Sequence, residues 1–195
     1  MNTFFKSLLR EEQQFLLKSA RKTLEHSLLE GKAAPESPDP ELSNLIEMAS
    51  SFVTLFKSNE LRGCIGRLTP EHPLFMDVNR NSLAAAFSDP RFSPVTADEL
   101  EDVSIEISVL SQLRRIYPKT YIELYRTLEP QIDGVVLKHH RKQATFLPSV
   151  WRYFTEPQEF VRSLRKKAGI DTGIEVHKMK ISVYNVLKFS EDDFV

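Results

Sequence analysis

From Glu11 to Leu29, apolar residues recur every fourth position, at Leu16, Ala20, Leu24 and Leu28, with Leu17 beside them. That spacing predicts an amphipathic helix, ended by Gly31. Pro35, Pro38 and Pro40 follow among small and acidic residues and read as an exposed loop, after which Glu41 to Ala49 reads as a second, shorter helix. Phe52-Val53-Thr54-Leu55-Phe56 has the β-branched and aromatic content of a strand. The polar stretch Lys57 to Glu60 can reverse the chain, so Phe52 to Gly66 is predicted to be a β-hairpin. Pro73 suits the first turn of a helix reaching Phe87, and Asp89-Pro90-Arg91-Phe92-Ser93-Pro94 stops it. Thr96 to Glu99 has the spacing of a capping box. Val103 to Leu110 alternates strictly and predicts a strand with one buried face.

A similar order returns in the second half. Gly134 to Lys138 and Gln143 to Leu147 flank the polar reversal His139 to Lys142 and predict another hairpin. Pro157 to Ala168 reads as a helix stopped by Gly169, and Met179, Ile181, Val183, Leu187 and Phe189 alternate along what reads as one long strand. Hairpin, helix and strand thus occur twice, without residue-level identity between the halves. The class expected is α+β, with a largely antiparallel sheet, flanking helices and two unequal subdomains.

Composition narrows the function classes. The chain has 195 residues, 41% hydrophobic and 27% charged, with a formal net charge of −1, as expected of an ordinary globular protein. No large positive field is available to hold nucleic acid or an anionic membrane. No apolar run reaches the ~18 residues that suggest a membrane span. Arg10, Glu11 and Glu12 interrupt the place of a secretory apolar core, and one cysteine cannot form an internal disulfide, so a cytoplasmic location is expected.

The single cysteine lies in Leu61-Arg62-Gly63-Cys64-Ile65-Gly66, with two of the six glycines beside it. Cys64 is a candidate nucleophile if a cation such as Arg62 lowers its pKa; equally, it can be a small, inert core residue. Arg62 and Cys64, two apart on a strand, are expected to share a face. Arg62 and Arg91 are candidate clamps for an anion, although Asp89 and Arg91 can also serve only to fix their turn. Glu106 is a general acid or base if its strand face lines a cleft, and otherwise part of a solvated face. Thr145, with Phe146 and Trp151, offers a hydroxyl and an aromatic wall to a ligand, or simple core packing. The five histidines show no metal-ligand spacing, and no phosphate-binding loop or nucleophile elbow is present, so no metal or cofactor is implied. Arg162, Arg165, Lys166 and Lys167 place positive charge near a helix C-terminus, which the helix dipole favours.

Taken in order, the opening helix, Phe52-Val53-Thr54-Leu55, the cysteine hexapeptide, Ala84-Ala85-Ala86-Phe87, Asp89-Pro90-Arg91-Phe92, Ile105 to Leu110, Ile132-Asp133-Gly134-Val135, Thr145 to Trp151 and Lys167-Ala168-Gly169 resemble the AMMECR domain family, of the AmmeMemoRadiSam system protein A type. The resemblance spans residues 11 to 190, leaving 1 to 10 and 191 to 195 as tails. It implies a single domain of two unequal subdomains, with the cysteine motif near a cleft between them; the residues themselves make Arg62, Gly63, Gly66, Asp89, Arg91 and Thr145 candidate contacts for a small, anionic ligand at Cys64. It implies no particular reaction. It does imply a Memo-like protein and a radical S-adenosylmethionine protein as companions. The alternative is a non-catalytic interaction module that keeps the cysteine motif for its backbone geometry. His139 to Gln143 departs from the resemblance, standing where a glycine-containing turn is expected.

Overall fold

A computed structural model describes residues 8–29, 38 and 42–194. In chain order its α-helices are α1 (Arg10–Leu29), α2 (Leu74–Phe87), α3 (Tyr121–Thr127) and α4 (Pro157–Ala168). Its strands are β1 (Ser50–Lys57), β2 (Glu60–Gly66), β3 (Val103–Leu110), β4 (Arg114–Ile116), β5 (Gly134–His139), β6 (Lys142–Phe146), β7 (Lys180–Tyr184) and β8 (Val186–Ser190). They form two four-stranded sheets, ordered β2-β1-β3-β8 and β6-β5-β7-β4. β1 runs antiparallel to β2 and β3, and β5 antiparallel to β6 and β7, so the α+β class holds.

The chain divides into two compact units. The first takes the described residues up to Ser111 and returns from Leu187; the second is Gln112–Val186. In each sheet the second hairpin strand is the edge, the first lies inside it, and the strand after the helix comes next. The twofold plan read from the pattern is therefore present in the topology.

In the first unit the odd-numbered residues of β1 and β3 face α1 and α2. Val53, Leu55, Ile105 and Ile107 bury against Leu16, Leu24 and Val78, as strict alternation requires. In the second unit Val135, Leu137, Ile181 and Val183 pack on Trp151, Phe160 and Leu164. There Trp151 stacks on Phe160 with centroids 3.6 Å apart, and its indole N–H donates to the Asp133 carbonyl at 2.7 Å.

The turns follow the residues that can form them. Ser58 and Asn59 both take positive φ, 52° and 63°, which closes the β1–β2 hairpin in two residues. His140 takes φ 54° at the first loop position of the β5–β6 hairpin, a conformation glycine adopts without steric cost. Gly169 (φ 66°) stops α4, with its N–H on the Lys166 carbonyl and the Ile170 N–H on that of Arg165.

Several expectations need correction. The helix expected over Glu41 to Ala49 is one 3-10 segment, Ser43–Ile46, and Glu41 lies outside the described residues. The loop carrying Pro35 and Pro40, and the Gly31 stop, also lie outside them. Pro73 is the residue before α2 rather than in its first turn. The long strand over 179–189 is two strands, β7 and β8, in different sheets, divided at Asn185. β4 and α3 went unassigned. Glu191, expected in a tail, pairs with Arg21 of α1 at 2.5 Å, and its carboxylate also accepts the Ile105 N–H.

Candidate functional site

β2 is a sheet edge, so the main-chain groups on its outer side need partners from elsewhere. At Cys64 a single side-chain pair supplies them. The Cys64 N–H donates to Asp89 Oδ2 at 2.8 Å, and the Cys64 carbonyl accepts from Arg91 Nη2 at 3.3 Å. Asp89 and Arg91 are themselves joined in a bidentate pair, Nε to Oδ1 at 2.9 Å and Nη2 to Oδ2 at 2.7 Å, and the Arg91 N–H adds a third bond to Oδ1. The loop that stops α2 thus stands in for a neighbouring strand. Asp89 is 5% exposed, and the Arg91 guanidinium, with the Cys64 and Arg91 amides, holds its carboxyl far below the usual range despite burial. Arg91 keeps a free end: its side chain is 54% exposed, and Nη1 makes no hydrogen bond among the described residues.

The glycines of the motif have packing duties. A Cβ on Gly63 would clash with the Ala85 carbonyl of α2, and one on Gly66 with the Phe52 ring and the Ser51 carbonyl. Gly63 lets the helix lie directly on the strand. Arg62 is the extra residue of a β-bulge, since Gly63 pairs with Leu55 and Leu61 with Phe56. Its guanidinium grips Glu99, Nε to Oε1 at 3.1 Å and Nη2 to Oε2 at 2.8 Å, and donates to the Ser93 and Pro94 carbonyls. Four of its five N–H groups are spent and its side chain is 13% exposed. Glu99 also accepts from the Thr96 N–H and Lys57 Nζ, and the Arg62 pair above all pulls its pKa down to about 2.

The Cys64 thiol is half-buried on the sheet face away from α2. Thr54 donates a hydrogen bond to Sγ at 3.2 Å, and the same Thr54 lies opposite Glu106 on β3. Glu106 pairs with Lys188 of β8 at 2.7 Å. Cys64, Thr54, Glu106 and Lys188 form one polar row across the four strands. Thr145 belongs to the second unit, donating to the Val135 carbonyl at 3.0 Å and lying 2.8 Å from the Tyr184 hydroxyl. Burial pushes that phenol up to about 12.

Of the residues the sequence singles out, the fold brings Cys64, Asp89 and Arg91 together, fixes Arg62 on Glu99, and puts Glu106 two strands from Cys64. It adds Thr54 and Glu99, for which the only sequence signals were a strand position and a capping box. It adds as well a buried network at the start of the hairpin. Asp77 of α2 accepts from the Ser51 N–H at 2.8 Å, the Ser51 hydroxyl at 2.7 Å and Asn81 Nδ2 at 2.9 Å. Burial raises the Asp77 pKa. Asp77 and Asn81, four apart on a helix, were its legible trace. Among the described residues no three His, Cys, Asp or Glu side chains converge on a point that could hold a metal ion, and no helix is long and apolar enough to cross a membrane.

The AMMECR1 family profile matches residues 17–189 of this chain. The chain belongs to the AMMECR1 family. Among AMMECR1 relatives, Protein Ta0236 of Thermoplasma acidophilum is 34% identical over 80% of this chain and 78% of its own length. Protein NEQ441 of Nanoarchaeum equitans is 32% identical over 91% of this chain and 99% of its own. The crystal structure of uncharacterized protein PH0010 from Pyrococcus horikoshii is similar with a TM-score of 0.78, at 29% identity, covering 91% of this chain and 90% of that one. The AMMECR1 fold expected from the motifs is therefore the fold observed.

Proposed function

We propose that the corner formed by Cys64, Thr54 and Arg91 binds a small anionic molecule, with Cys64 as a contact rather than a nucleophile. The observation that carries this reading is the free Nη1 of Arg91, exposed and already oriented by the Asp89 pair beside Cys64. A guanidinium held in place from one side loses little further freedom on accepting an anion from the other. The Thr54 hydroxyl gives its one hydrogen to Sγ and so fixes the thiol beside Arg91. Among the described residues no carboxylate, imidazole or amine hydrogen-bonds the Cys64 thiol, which supports contact over nucleophilic catalysis. Arg62, expected to orient the ligand, is retained by Glu99, so Arg91 takes that role.

The test compares two alkylating reagents of opposite character. Anionic iodoacetate should modify Cys64 faster, relative to neutral iodoacetamide, than it modifies free cysteine. Arg91→Gln should remove that preference, read as the iodoacetate-to-iodoacetamide ratio because the variant also breaks the Asp89 pair that holds the Cys64 main chain. Equal preference in both proteins, or a thiol unreactive until unfolding, rejects the reading.

One observation favours a second reading. Gly63, Gly66, Arg62 and the Cys64 main chain each have a structural task, as expected of a motif kept for backbone geometry in an interaction module. In that case Cys64→Ser leaves partner binding and stability within about 1–2 kcal/mol, the companions to try being Memo-like and radical S-adenosylmethionine proteins.

A further inference from the structure

The second unit carries a cavity of about 770 Å³, bordered by α3, α4, the start of β6 and the residues after α4. Sites for small molecules run from roughly 300 to 1,000 Å³. Helical spacing builds its walls: Arg162 and Lys166 lie four apart along α4 with Arg165 between them, and Tyr121 and Tyr125 lie four apart on α3. Lys142 joins from the start of β6. The lining holds these four cations against one carboxylate, Asp171.

The pairing of these charges is lopsided. Lys142 Nζ donates to the Gly169 carbonyl, and Asp171 Oδ1 accepts the Gly173 N–H. Arg165 is 7% exposed, and its guanidinium donates to the Tyr121 hydroxyl and to the Asp171 and Ile174 carbonyls, all of them neutral, while its Nε has no partner. A guanidinium buried without a carboxylate is costly, and its contact with the Tyr121 ring, 5.2 Å to the centroid, offsets that only in part. The side chains of Arg162 and Lys166 make no ion pair or hydrogen bond among the described residues, and like charges four apart repel along a helix. The helix dipole accounts for Lys166, in the last turn; Arg162 lies before that turn, beyond the dipole's reach.

We propose that this cavity is a binding site for a small phosphorylated molecule, its phosphate held between Arg162 and Lys166 over the buried charge of Arg165 and its organic part against Tyr121 and Tyr125. A phosphate is the anion that fits. Its two negative charges answer several cations at once, and its oxygens accept the Arg162 fork while Lys166 adds a point charge. The site is built from residues of the second unit alone.

Calorimetric titration of the full chain at low salt tests it, with pyrophosphate, AMP, adenosine and a short single-stranded RNA as probes. Pyrophosphate or AMP should bind, with adenosine weaker than AMP by about tenfold or more. Arg162→Gln with Lys166→Gln should weaken AMP or pyrophosphate by about tenfold or more without lowering Tm, because those two side chains hold nothing in the fold. Arg91→Gln should leave these affinities unchanged, which separates this site from the Cys64 corner. The proposal is overturned if neither AMP nor pyrophosphate binds, if the double variant binds them undiminished, or if the RNA binds while both small probes do not.

Discussion

The two edge strands β2 and β6 occupy equivalent places in two sheets of the same order, yet they are met by opposite chemistry. β2 is covered by carboxylate–guanidinium pairs: Asp89 with Arg91 on the Cys64 main chain, and Glu99 with Arg62 at the bulge. β6 is met by a lysine, Lys167, donating to the Thr145 carbonyl at 3.1 Å, with its ammonium 5.1 Å from the Phe146 ring centroid. One edge is sealed with charges that cancel; the other adds a cation to a region already rich in them. The same topology therefore yields one surface in which charge is used internally and another in which charge is left over. Leftover charge points outward, toward a ligand, whereas paired charge serves architecture first and leaves at β2 only the free Nη1 end of Arg91 to meet an anion.

The interiors differ as well, and substitution can separate them. The second core turns on one aromatic stack, so Phe160→Ala should cost about 3–5 kcal/mol, with hydrogen exchange accelerating first in β5, β7 and α4. In the first unit the critical contact is backbone against backbone. Gly63→Ala should cost about 1–3 kcal/mol, because the new methyl meets the Ala85 carbonyl rather than a side chain that can swing aside; urea unfolding would report it. A loss at Gly63 as small as that of an exposed substitution would undo the contrast.

The paired charges give the smallest effect and a sign to check. Glu99 is depressed from 4.5 to about 2 in the folded protein, so its contribution is complete above pH 4.5 and is lost as the pH falls toward 2. Glu99→Gln should therefore destabilise by about 1 kcal/mol at pH 7 and flatten the fall in Tm between pH 4.5 and 2. Asp77, raised by burial, runs the other way: its contribution is complete below 3.8 and declines as the pH rises through its folded pKa.

Periodicity carried most of the fold. α1, both hairpins, β3 and α4 each have enough turns or alternations for their buried faces to be read directly. The break at Asn185 was invisible for a specific reason. Met179, Ile181 and Val183 before it and Leu187 and Phe189 after it all fall on odd positions, so the alternation passes through without a change of parity while the strand changes sheets. β4 has three residues, and α3 buries only Leu124, too little for either period to register. At the candidate site the residue types were legible and their partners were not. Arg62 and Cys64 share a face on a regular strand, but the bulge sends Arg62 to Glu99, a residue whose local signal was that of a helix cap. Asp89 and Arg91 read correctly as a mutual pair; their grip on a strand 25 residues away in sequence needed the fold.

Synthesis runs from the N-terminus, and β8 leaves the ribosome after every strand of the second sheet although it belongs to the first. While the chain emerges, every element of Gln112–Val186 becomes available before the residues that cover the outer edge of β3. Until Glu191 arrives, Arg21 and the Ile105 N–H lack their carboxylate. The earlier-made part of the protein is thus the later one to be finished, and the β3 edge stays open while the whole of Gln112–Val186 is made, the interval in which a chaperone or a second nascent copy could reach it.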